Sequence, residues 1–160
     1  MSRTDHQNTI LAISIDWMAT FYDAQASLLR HPQRIDRHAV RESLWYAAGL
    51  LAQHDSARVP RALLIIDTVL GLQFDEPEAP WHGTWPRAPE EPLPQTNAVI
   101  WRDYDPNWRQ FIGCLLGVVV ADFAATLGSA RCDRARTGFR PAPGTAPRAS
   151  SFSYSHYPDG

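Results

Sequence analysis

The sequence predicts an all-α fold built from antiparallel αα-hairpins. Apolar residues recur at spacings of three and four in separate segments of the chain, the signature of helices with one buried face. A short polar turn, "DSARV", joins the second and third segments, so those two helices must lie antiparallel. Aspartate and proline stand where helices should start, and glycine where the last should stop.

The first helix is expected over about 8–30. Ile10, Leu11, Ile13, Ile15, Trp17, Met18, Phe21, Tyr22, Ala26 and Leu29 form its apolar series, and Pro32 ends it. Asp36 is the expected N-cap of a second helix, 36–54, which carries Val40, Leu44, Trp45, Ala47, Ala48, Leu50 and Leu51. Pro60 opens a third, 60–73, with Ala62, Leu63, Ile65, Ile66, Val69 and Leu70. Residues 74–98 hold six prolines and place Gly83 between Trp81 and Trp85. A loop of that length inside a domain is often functional.

The pair Asp105-Pro106 then starts a fourth helix, 106–127, with Asp105 as a cap contributing about 1 kcal/mol and Gly128 at its end. Asp122 interrupts its apolar run, so a buried helix is expected rather than a membrane span. Ser129 to Gly160 has no apolar period. Its five arginines face two aspartates, whereas the first 128 residues carry ten arginines against fifteen acids. That break reads as a disordered tail; translation in a shifted frame or through an unspliced intron would give the same composition.

Composition narrows the function. At net charge −2 the chain has no field favouring nucleic acid or an anionic membrane. Cys114 and Cys132 have no ligand spacing for zinc, and neither a metal nor a cofactor is expected. The N-terminus lacks a secretory pattern, so a cytoplasmic location is expected. No GxSxG, HExxH, Walker or dinucleotide motif is present. Every basic residue is arginine. Codon usage of a GC-rich genome explains that; selection for bidentate arginine contacts would need specific sites.

The hairpin "RESLWYAAGLLAQHDSARVPRALLIIDTVLGLQ" resembles the repeating helix pairs of six-hairpin glycosidase-like proteins, and "PWHGTW…WRDYDPNWRQFIG" is similar to a loop-plus-helix motif in that group. The resemblance covers about 8–128. It implies part of an (α/α) toroid, with a site built from rim loops. Four helices leave such a toroid open, so self-association through the open helix faces is expected. The implied ligand is a sugar-like small molecule. Asp103 and His82 would be catalytic. Trp81, Trp85 and Trp101 would stack on the ligand, and Arg102, Tyr104, Asn107 and Arg109 would bind its polar groups. Two carboxylates about 5 to 10 Å apart would serve glycoside hydrolysis. The competing reading pairs Asp103 with Arg102 or Arg109 and lets the tryptophans pin the loop. The function expected is therefore a glycosidase-like enzyme, or a fragment of one. The alternative is a non-catalytic helical interaction protein, or an accessory protein of a secondary-metabolite pathway.

Overall fold

The computed structural model describes residues 3–137. It corrects the all-α expectation: among the described residues five helices accompany a three-stranded antiparallel sheet, and they show no toroid. Helix α1 (Asp5–Ala19) starts earlier than its apolar series suggests. Thr4 and Gln7 form a capping box there, with Gln7 N–H donating to Thr4 Oγ1 and Thr4 N–H to Gln7 Oε1.

The expected first helix, to about residue 30, stops at Ala19. Thr20 turns its N–H and hydroxyl onto Trp17 O, and the chain enters β1 (Tyr22–Asp23), β2 (Leu28–His31) and β3 (Arg34–Ala39). Asp23 explains the switch. Its carboxylate accepts N–H bonds from Gln25 (2.9 Å) and Ala26 (3.4 Å), a local turn that competes with a helix. Ser27 completes it in the left-handed region. Pro32 ends no helix; it lies in the turn between β2 and β3, where Gln33 N–H donates to His31 Nδ1. Asp36 lies inside β3, and Ala39 takes the N-cap position of α2 (Val40–Ala52).

The sheet is a meander, with Tyr22 opposite Leu29 and Leu29 opposite Ala39. Ser43 fastens it to α2: its hydroxyl donates to Ala39 O and accepts from Leu29 N. Helix α2 and α3 (Val59–Gly71) form the expected hairpin. His54 turns the chain at positive φ, and the Asp55 carboxylate accepts from Ala57 N.

Helix α4 (Asn107–Leu127) lies within one residue of the expected range and ends at Gly128, φ +77°. Pro106, and not Asp105, takes its N-cap position; the Asp105 carboxylate, one residue earlier, accepts from Asn107 N–H at 2.9 Å. The core joins Leu44 and Leu50 of α2, Ile65 and Ile66 of α3, Ile112 and Leu116 of α4, Leu28 of β2 and Trp85 of the long loop.

The disordered-tail reading also needs correction. Residues Ser129–Thr137 form α5, which buries Cys132 and Ala135. Arg131 forks onto Asp67 of α3, with Nε to Oδ1 at 2.9 Å and Nη2 to Oδ2 at 2.7 Å. The pair raises the Arg131 pKa, chiefly through that hydrogen bond. The rest of the expected tail lies outside the described residues.

Candidate functional site

The proline-rich loop is a packed element. Trp85 is 1% exposed, and its indole N–H donates to Val69 O at 2.8 Å. Gly83, at φ +73°, donates to Phe74 O, and Phe74 N–H returns to Thr84 O. Arg109 donates to His82 O. Trp81 is 4% exposed and meets Tyr104 edge-on, with ring centroids 5.8 Å apart. These contacts remove Trp81 and Trp85 as stacking platforms for a sugar, because stacking needs a free ring face. Arg109 serves as a loop pin. Trp101 alone of the three tryptophans presents its ring, at 58% exposure.

Asp103 and His82 do not form an acid–base pair. Asp103 accepts from Val99 N (2.8 Å) and from Arg102 Nε (3.0 Å) and Nη2 (2.7 Å). The Arg102 hydrogen bonds, then the Val99 N–H, hold its carboxyl down to about 2, and the pairing raises the Arg102 pKa. A carboxyl ionised that strongly cannot protonate a leaving group near neutral pH. His82 Nδ1 is buried without a hydrogen-bond partner, and the nearest carboxylate, Asp75, stands 3.8 Å away. Asn107 donates its backbone N–H to the Asp105 carboxylate.

Two clefts share a wall beside the long loop. A cleft of about 360 Å³ opens where β3 meets α2 and the loop, lined by Arg34, Arg37, Arg41, Arg87, Glu91 and Trp108 among others. A second, of about 420 Å³, shares Arg37, Arg87 and Glu91 with it and reaches Arg102 and Asp103. Of the expected site residues, Arg102 and Asp103 line the second of these clefts, and Trp81 lines a third, of about 380 Å³, with Glu76, Pro80 and Thr96; Trp85, Trp101 and His82 line none of the three.

The missed residues had a signal in the sequence: Arg34, Arg37 and Arg41 stand three and four apart. In the fold, Arg41 lies over three rings, 5.3 Å from Trp45, 5.4 Å from Trp108 and 5.7 Å from Phe111. His38 forms the cleft's polar hinge. Its Nδ1 meets Glu90 Oε1, its Nε2 meets Asp23 Oδ2 at 3.2 Å, and its backbone N–H donates to Glu90 Oε2. The His38 hydrogen bond, ahead of the Gln25 N–H, lowers the Asp23 pKa. For Glu90, burial pushes upward, but the two bonds from His38 outweigh it and the net shift is downward. Among the described residues, no group of His, Cys, Asp and Glu side chains is arranged to hold a metal ion.

Comparison with known proteins returns no matching curated protein and no matching solved structure. A family model does match, over residues 8–142, and it spans the composition break after Gly128. The chain belongs to that family, Domain of unknown function (DUF8769).

Proposed function

We propose that this chain is a non-catalytic association module that self-associates through the apolar face of α2 and α4. One observation carries the reading. Helix α4 holds an 18-residue window of mean hydropathy 1.9, long and apolar enough by composition to cross a membrane, yet only 33% of that window is buried. Its inner side packs on the core through Trp108, Ile112, Leu116, Val119 and Val120. Its outer side presents Phe111, Cys114 and Val118. Trp45 of α2 extends that face, since Arg41 touches both its ring and that of Phe111. Aromatic residues with an arginine are the composition of an interface centre, and symmetric pairing of identical chains is the commonest way to cover one.

The hydrogen bonds that Asp103 accepts from Arg102 and Val99 support a structural role for it and so favour this reading over a catalytic one. Sedimentation velocity on the full chain tests the proposal. Wild type should sediment as a dimer or larger, and Val118→Glu, at an exposed position, should sediment as a monomer with an unchanged melting curve. A parallel Ile13→Glu on α1, whose Ile10, Ile13 and Trp17 are also exposed, should leave the assembly intact. A wild-type chain that stays monomeric at high concentration overturns the proposal.

A further inference from the structure

We propose that the cleft between β3, the start of α2 and the 87–91 segment binds a small oxyanion, a phosphorylated or carboxylated metabolite held by Arg34 and Arg37. The charge balance comes first. Arg34, Arg37, Arg41 and Arg87 face only Glu42 and Glu91 among the lining residues, a local excess of positive charge in a chain of net charge −2.

The pairing within the cleft decides which arginines are free to bind. Glu91 is committed to Arg87: its Oε1 accepts from Arg87 Nε at 2.8 Å and its Oε2 from Arg87 N–H at 3.0 Å. Arg41 is held by Glu42 and by the three rings around it. Arg37 stands 3.8 Å from Glu91, and Arg34 stands 4.0 Å from the exposed Asp36. Both distances exceed hydrogen-bond reach. Arg34 and Arg37 thus line the concave site with guanidinium groups held only by these long ion pairs, and an incoming phosphate or carboxylate can take their planar donor forks bidentately.

The size agrees. About 360 Å³ lies within the range of small-ligand pockets, and the adjoining cleft, which ends at Arg102, leaves room for an uncharged remainder. His38 is not a binding group, since both of its ring nitrogens already face carboxylates. It ties Glu90, and with it the loop carrying Glu91 and Arg87, to β3, and so keeps the cleft's two walls in register.

Isothermal titration of the full chain with glucose 6-phosphate, glucuronate and neutral glucose tests this. At least one of the two anions should bind saturably and more weakly at high salt, while glucose gives no saturable heat. Tighter binding of glucose 6-phosphate assigns a phosphate ligand; tighter binding of glucuronate assigns a carboxylate. Arg37→Gln should weaken the tighter anion about tenfold or more, the loss of one charge-assisted pair. Arg34→Gln, at a more exposed position, should do the same with no change in fold, and Arg136→Gln on α5 should leave binding unchanged. Absence of saturable binding by both anions, equal binding of glucose, or full affinity in both cleft variants overturns the proposal.

Discussion

Truncating Trp85 separates a loop anchor from a ligand platform. The side chain is 1% exposed and belongs to the main core, and its indole donates to Val69 O at 2.8 Å. Trp85→Ala removes the ring and leaves a cavity, which costs about 3–5 kcal/mol. The lost hydrogen bond adds about 1 kcal/mol and no more, because Val69 O still accepts from Leu72 N–H at 3.1 Å. The sum is about 4–6 kcal/mol, a large part of the roughly 5–15 kcal/mol that holds a domain together. Trp85→Phe keeps most of the apolar volume and should lose about 1–2 kcal/mol. Urea unfolding followed by circular dichroism gives both values from the midpoint at constant slope. A residue that stacks on a ligand would lose affinity on truncation and little stability. A Trp85→Ala protein within about 1 kcal/mol of wild type would refute the anchored loop.

Trp101 sits at φ +70°, in the left-handed region. Trp101→Gly should therefore be more stable than Trp101→Ala by about 1 kcal/mol in the same urea assay. The lowered pKa values of Asp23 and Glu90 fix the sign of an acid effect: the stability they contribute is complete above the ordinary carboxylate range and is lost as pH falls through the folded values. His38→Gln removes the shared partner, so its stability should fall less steeply with acid than that of wild type in melts run across pH 2–6 (roughly that range). Asp67→Asn breaks the fork to Arg131; it should speed amide exchange in α5 and cost roughly 1 kcal/mol in a melt.

What was legible in the sequence followed from period and punctuation. The α2–α3 hairpin and α4 were read within a few residues, because long apolar runs were bounded by Pro60, Pro106 and Gly128. The sheet was not legible. Phe21, Tyr22, Ala26 and Leu29 continue a three–four spacing, yet a single turn at Asp23 overrides it, and Leu28 and Leu29 are both buried in a strand. Period alone cannot separate a short apolar strand from a helix face. Helix α5 was hidden for the opposite reason. It is polar except for Ala130, Cys132 and Ala135, and its place depends on an ion pair 64 residues distant in sequence. In the expected site, Trp81, Trp85 and Trp101 were read as ligand-stacking residues with loop pinning as the competing reading; Trp81 and Trp85 are buried in the fold and Trp101 is exposed.

The absence of lysine can be weighed site by site. Codon usage would set arginine where a lysine would serve equally well, as in the exposed Arg136–Asp133 pair on α5. Other positions need the guanidinium plane. Arg102 engages Asp103 through Nε and Nη2, and Arg131 engages both oxygens of Asp67. Arg41 lies over three aromatic rings while its Nε and Nη2 both reach Glu42. An ammonium makes neither a two-point fork nor a flat stack. Whatever filled the genome with arginine codons, the fold has placed three of them where geometry, and not charge alone, secures the loop entering α4, the junction of α3 with α5, and the wall shared by the cleft and the apolar face.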